Sequence, residues 1–384
     1  MKFEFMTANR ILFERGAINQ IGKLAKNMGN KVLLTSGMST EDTDKVVGYL
    51  KEEGLDTIVL FVQGEPSVEG IKAGLDQARN EKCDMVIGFG GGSAMDSGKI
   101  IAAMLKNPGE VLEYLEIIGE GRSLLMPSAP CIAIPTTSGT GAEVTKNSVL
   151  SSNEKKIKVS LRSPFMLPEL VLIDPELTKS VPPAVTASTG LDALTQVLEP
   201  FVSNAANPIT DAFCREGMSR AAKSLKRAFD QGDDIIARED MAIASLFGGL
   251  ALANAKLGAV HGFAGVIGGM YPIPHGVVCA TLLPHVIETN VKALKERDSS
   301  SEALKRFDEV AQILTGNSNA KAAEGVIWIQ ELCNHLKVPG LSTFGMTQNE
   351  FPAIIEKSMG ASSMKGNPIQ LTYEELEYIL NKAL

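Results

Sequence analysis

Between residue 31 and about residue 174 the chain alternates short β-branched apolar runs with stretches whose apolar positions recur at helical spacing. The runs are KVLLTS, TIVLFV, MVIGFG, CIAIP and LVLIDP; the helical stretches cover residues 40–53 and 67–82, and a third helix opens near Ser93. This βαβ alternation predicts a mostly parallel sheet with helices on its faces. Beyond Pro183 the period changes to helical almost without exception, over residues 206–229, 234–256, 301–314 and 320–336. Two further helices begin near Thr347 and Thr372, each with a capping box formed with Glu350 and Glu375. Prolines in DPELTKSVPPAVTAS interrupt both patterns. The expected organisation is an α/β domain over residues 1–183 and an all-α domain over residues 184–384.

Composition narrows the function classes. A chain of 384 residues exceeds what one hydrophobic core usually fills, which agrees with two domains. A net charge of −8, with no cluster of Lys and Arg interleaved with aromatics, excludes nucleic acid as an expected partner. The N-terminal stretch alternates apolar and charged residues too early for a signal peptide, so a cytoplasmic location is expected. The longest uncharged run, residues 257–275, reaches membrane-spanning length but carries five glycines and two prolines, so it reads as tightly packed backbone rather than a lipid-exposed helix. The five cysteines are scattered and never spaced C-x-x-C; they read as reduced thiols, mostly in the core.

Two loops and two histidines carry candidate chemistry. In MVIGFGGGSAMDSGK a strand runs into Gly90–Gly92 and a helix, a geometry that offers free N–H groups to an anion, although the spacing is not G-x-G-x-x-G. In IPTTSGTGAEVT, the hydroxyls of Thr136, Thr137 and Thr140 follow a buried strand, where open α/β sheets bind ligands. A plain strand-to-helix turn and a self-capping Ser/Thr turn are the alternatives. His261 and His275 would lie about 21 Å apart on one straight helix. If His261 ends one helix and Pro274 precedes the next, the chain can reverse and bring both imidazoles to one point. Asp192, with Gln196 at i+4, is the candidate third ligand, since a carboxylate in an apolar stretch needs a cation or partner; a capping role for Asp192 is the alternative. His285 and His335 read as a packing residue and an exposed helix end.

Five longer segments, GGGSAMDSGK, PTTSGTGAEVT, LIDPELTKSVPPAVTASTGLDALTQ, ALANAKLGAVHGFAG and PHGVVCATLLPH, together resemble the iron-containing (group III) alcohol dehydrogenase family over nearly the whole chain. The resemblance implies an N-terminal dinucleotide-binding α/β domain and a helical C-terminal domain, an architecture shared with dehydroquinate synthase-like enzymes. It further implies a nicotinamide cofactor and a divalent metal, Fe2+ or Zn2+, in the cleft between them, and hydride transfer between a small alcohol and its aldehyde or ketone. It places Gly91, Gly92 and Ser93 at the cofactor diphosphate, with Asp96 among the cofactor-binding candidates. Thr136, Thr137 and Thr140 would lie along the nucleotide and nicotinamide, and Lys158 at the ribose. Asp192, His261 and His275 match three of the four metal ligands, and His261, His275 and Gln196 become the catalytic candidates. Two departures stand out: Gln196 replaces the family's histidine four residues after the aspartate, and Gly265 replaces a second histidine four residues after His261. Gln196 is thus a weak fourth ligand or a hydrogen-bond partner for substrate. Where NAD-preferring members often carry aspartate, this chain has Ser36 and Gly37, which leans the expectation toward NADP(H). A homodimer or higher homo-oligomer is expected from the family. A metal-free carbonyl reductase, a dehydroquinate synthase-like lyase and a silent cofactor-binding protein are the rival readings.

Overall fold

The computed structural model describes residues 2–152 and 157–384. It divides into two compact units: Met6–Thr137 with Ala142–Thr178, and Lys179–Leu384 with Met1–Phe5 and Ser138–Gly141.

The first unit is an α/β unit with eight strands among the described residues: β1 (Arg10–Phe13), β2 (Lys31–Ser36), β3 (Asp56–Phe61), β4 (Met85–Gly90), β5 (Cys131–Pro135), β6 (Asn147–Ser152), β7 (Ile157–Arg162) and β8 (Leu170–Ile173). Six form one sheet in the order β1-β8-β5-β4-β2-β3, every pairing parallel. The central strands are buried on both faces, as a parallel sheet covered by helices requires: every residue of β4, β5 and β8 is buried. The continuous apolar runs in the sequence follow from that burial. Two features were not anticipated. β1 is a four-residue edge strand in a stretch where charges interrupt the apolar pattern, and it is placed by its register against β8, Arg10 opposite Leu170. β6 and β7 form a separate antiparallel pair, Asn147 opposite Arg162, and do not join the main sheet.

The strand order places a reversal beside β2. The chain passes from β2 outward to β3, then returns to the other side of β2 as β4. In open α/β sheets such a switch point, at the carboxyl ends of the strands, is where a ligand docks. The two chain exits touch there. Gly37 N–H donates to Phe89 O at 2.9 Å, and Gly90 has φ +148°, a backbone that side chains rarely adopt. A Cβ at Gly90 would also stand 2.9 Å from Ala94 Cβ and 3.0 Å from Gly37 N.

The second unit is helical. Its centre is the helix Pro183–Val202, in which Leu191, Leu194, Val197, Leu198 and Phe201 are all buried. Around it pack Pro208–Asp230, Ile235–Asn254, His275–Arg297 and Glu302–Thr315. Both capping boxes form: Thr347 with Glu350 opens a short turn leading into Phe351–Gly360, and Thr372 with Glu375 opens Tyr373–Ala383. The run 257–275 holds the helix Ala259–Met270, whose interior face, with Val260, Phe263, Ala264 and Ile267, is buried. The following helix, His275–Arg297, is long and apolar enough to cross a membrane, yet 72% of its apolar window is buried within the protein, as in a core helix.

Candidate active site

Four side chains of the helical unit converge: Asp192, His261, His275 and Cys279 each offer a ligand atom, and these atoms lie within 4.8 Å of one another. Asp192 is the tenth residue of Pro183–Val202, far from its first turn, so it is not a cap. It is 1% exposed. Its Oδ1 makes no hydrogen bond, although His261 Nε2 lies 3.4 Å away and His275 Nε2 3.9 Å away. Burial disfavours the charge on Asp192, but the two imidazoles more than offset that cost and hold the carboxyl below its ordinary range.

His261 is presented differently from the sequence-based expectation. It does not end a helix; it is the third residue of Ala259–Met270. The helix then carries the chain about 14 Å away over nine residues. Tyr271 and Pro274 are extended, with ψ 151° and 134°, and four extended residues span about 13 Å. That return is what brings His275, the first residue of the next helix, back to His261, with ring centroids 5.4 Å apart. Gly276 lets this helix start press on the Asp192 helix, since a Cβ there would stand 2.4 Å from Ser188 O.

The start of the His261 helix is held by partners distant in sequence. Its N-cap, Gly258, has no side chain to offer. Instead Ala259 N–H donates to Asn367 Oδ1 at 3.1 Å and Val260 N–H to Glu199 Oε1 at 2.7 Å. The other oxygen of Glu199 accepts from His261 Nδ1 at 2.7 Å. A carboxylate behind one ring nitrogen fixes the tautomer that leaves Nε2 free to act as a ligand. Glu199 was not singled out from the sequence. The signal was there: a buried acid seven residues after Asp192 lies on the same helix face.

Gln196 lies one turn beyond Asp192 and is 2% exposed. Its Nε2 donates to Gly139 O at 3.3 Å, and its Oε1 is buried with no hydrogen-bond partner. All five cysteines are free and buried, but Cys279 is not simply core. Its Sγ lies 3.6 Å from His275 Nε2 and 3.9 Å from His261 Nε2. Burial pushes its thiol up to about 12. The i, i+4 relation between His275 and Cys279 was the missed sequence signal.

In the α/β unit the glycine loop and the hydroxyl loop are neighbours. The helix after β4 is Gly92–Lys106 with Gly91 as N-cap, one residue earlier than expected, so Ser93 lies inside its first turn. A Cβ on Gly91 would be 3.4 Å from Thr137 Oγ1. Thr136 N–H donates to Gly90 O at 2.9 Å, tying the two loops together. Thr140 falls in the segment Ser138–Gly141, which groups with the helical unit. Asp96 is engaged within the unit: its Oδ2 accepts from Val149 N–H at 3.0 Å and its Oδ1 lies 3.0 Å from Lys99 Nζ. Ser36 is fully buried, its hydroxyl 2.7 Å from that of Thr43 and accepting from Met38 N–H. Lys158 pairs with Glu65 at 2.6 Å.

The profile described as "Iron-containing alcohol dehydrogenase" matches residues 8–175, and that described as "Fe-containing alcohol dehydrogenase family, C-terminal" matches residues 186–384. The chain belongs to the iron-containing alcohol dehydrogenase family. It is 34% identical to a 1,3-propanediol dehydrogenase of Klebsiella pneumoniae over 99% of this chain and 98% of the relative. It is 36% identical to alcohol dehydrogenase 4 of Schizosaccharomyces pombe over 97% of this chain and 87% of the relative. Among solved structures, a 1,3-propanediol oxidoreductase superposes with a TM-score of 0.91 at 33% identity, covering 100% of both chains. As a member of this family the protein is an NAD(P)-dependent alcohol dehydrogenase, and family enzymes use a nicotinamide dinucleotide and a divalent metal.

The residues fit both groups. A buried carboxylate oxygen without a hydrogen-bond partner, two imidazoles and a thiol form a donor set suited to a divalent transition ion. The glycine backbone at Gly90, packed too closely against Gly37 and Ala94 for a side chain, and the first-turn N–H groups of the helix that follows suit a diphosphate.

Proposed function

We propose that the protein interconverts small alcohols and their aldehydes or ketones with NADP(H), assisted by a divalent metal held by Asp192, His261 and His275. The observation that carries this reading is the convergence of these three side chains around a buried, unpartnered carboxylate oxygen, with Glu199 orienting His261 from behind. A divalent cation bound there supplies Lewis acidity to the substrate oxygen. Asp192 and the Nε2 atoms of the two histidines hold it. Glu199 retains the Nδ1 proton of His261 and fixes the ring. Gln196, its amide anchored on Gly139 O, presents a buried polar oxygen beside Asp192.

The N–H groups of Gly92 and Ser93 bind the cofactor diphosphate, and Thr136 and Thr137 border it. Gly265, where the family usually carries a histidine, offers no relay group, so the substrate hydroxyl proton leaves by water, a cofactor hydroxyl or solvent bound at Gln196. Support for NADP(H) comes from the end of β2. Ser36 and Gly37 present no carboxylate to repel a 2′-phosphate, and the Ser36 hydroxyl is already engaged with Thr43 and Met38. The free, buried cysteines suit a reducing cytoplasmic setting.

The test compares kcat/KM for NADPH and NADH across short-chain alcohols and aldehydes. NADPH is expected to be favoured. Gly37→Asp, whose Cβ would make only an ordinary 3.5 Å contact with Ala94, is expected to move the ratio toward NADH by roughly tenfold, about 1.4 kcal/mol. A wild-type preference for NADH overturns the cofactor assignment. Turnover that persists after complete removal of metal supports a metal-free carbonyl reductase instead.

A further inference from the structure

We propose that Cys279 is a ligand of the metal, taking the coordination place that the family gives to the histidine replaced here by Gln196. This rests on the reading that Asp192, His261 and His275 hold a divalent cation. Cys279 is fully buried and follows His275 by one helical turn, so both side chains project from one face of His275–Arg297. A buried thiol that merely fills core space is surrounded by apolar groups. This one faces two imidazole nitrogens, at 3.6 and 3.9 Å.

The spacing brings four donors to one ion, with the substrate oxygen entering as a fifth ligand. With metal–sulfur and metal–nitrogen bonds of about 2.3 and 2.0–2.1 Å, the sulfur–nitrogen edge of a tetrahedron is about 3.6 Å and the nitrogen–oxygen edge about 3.4 Å. The observed edges are 3.6 and 3.9 Å from sulfur to the imidazoles, and 3.4 and 3.9 Å from Asp192 Oδ1 to His261 Nε2 and His275 Nε2, within about half an ångström of these values. Asp192 Oδ1, on a residue 1% exposed, makes no hydrogen bond and faces the same two imidazoles, so the fourth donor lies on the same cluster.

Gln196 is the weaker candidate. Its carboxamide oxygen, though buried without a hydrogen-bond partner, is neutral, and its nitrogen is already bonded to Gly139 O. A thiolate brings a full negative charge and a soft donor. On coordination the thiol proton leaves to solvent and Sγ donates an electron pair to the cation. One carboxylate and one thiolate then balance a divalent ion, and the donor set moves from one suited to iron toward one suited to zinc.

The test uses the full chain stripped with a chelator and reloaded with Co2+. Stoichiometric binding is expected to produce a thiolate-to-cobalt charge-transfer band in the near ultraviolet. Cys279→Ser is expected to lose the band, and to weaken zinc at least tenfold in chelator competition, while Cys214→Ser keeps both. X-ray absorption of the zinc-loaded wild type needs no variant and should show one sulfur neighbour at about 2.3 Å. Stoichiometric binding with only nitrogen and oxygen neighbours, or a band that survives Cys279→Ser, overturns the ligand assignment while leaving the Asp192–His261–His275 site intact. Failure of the folded wild type to bind either ion overturns both.

Discussion

Replacing Glu199 with glutamine isolates the contribution of the group behind His261. The two carboxylate oxygens each accept one short bond, Oε2 from His261 Nδ1 at 2.7 Å and Oε1 from Val260 N–H at 2.7 Å, on a residue 3% exposed. A carboxamide has one acceptor oxygen. In Glu199→Gln an NH2 group must therefore face either Val260 N–H, which then loses its carboxylate acceptor, or the imidazole, whose Nδ1 can accept from it only if the ring proton moves to Nε2. A hydrogen bond involving a charged group contributes about 1.5–3 kcal/mol, and leaving a buried donor unsatisfied costs about 1–3 kcal/mol. The metal-free chain should lose roughly 2 kcal/mol in denaturant unfolding. If the amide nitrogen faces the imidazole, His261 loses its fixed tautomer. Partners of this kind are worth 10–100-fold in metal affinity, about 1.4–2.8 kcal/mol. Chelator competition for Zn2+ measures the affinity, and urea unfolding of the stripped protein measures the stability. Unchanged affinity in a folded Glu199→Gln chain refutes the view that Glu199 orients a metal ligand. Lost stability with intact affinity would restrict Glu199 to holding the helix start at Val260.

Two further perturbations read the structure elsewhere. Burial pushes the Glu143 carboxyl up to about 7 from 4.5. The folded state thus keeps a proton that the unfolded chain releases, and its stabilising contribution is complete below about pH 4.5 and lost as pH rises through 7. The loss is up to about 3 kcal/mol at 1.36 kcal/mol per pKa unit, so Glu143→Gln should flatten the fall in unfolding free energy between those pH values; an unchanged slope refutes the assignment. Gly265 lies within a helix, and a Cβ there would meet nothing within 4 Å. Gly265→Ala should therefore raise stability by about 1 kcal/mol in denaturant unfolding, and an unchanged or lower midpoint would show that the position is constrained.

The features legible in the sequence are those written in periodicity. β4, β5 and β8 are buried on both faces and so appear as unbroken apolar runs, and the capping boxes at Thr347 and Thr372 form as their spacing implies. β1 was illegible because a four-residue edge strand is defined by its register with β8, not by its own pattern. At the site, the two histidines could be brought together on paper because glycine and proline forbid a single straight helix between them. Which end of its helix His261 occupies could not be read, because the start of Ala259–Met270 is set by Asn367 and Glu199, both distant in sequence. In the sequence Cys279 reads as core, because burial is all that composition reveals about a cysteine. Its neighbours appear only once two helix starts are superposed.

The most direct measurement is metal content alongside turnover in one preparation. About one divalent ion per chain is expected, with loss of NADPH-dependent carbonyl reduction when a chelator removes it, recovery when Zn2+ or Fe2+ is returned, and loss of both metal and activity in His275→Ala. A chain that is free of metal and fully active, or a His275→Ala variant that keeps its ion and its rate, would contradict it.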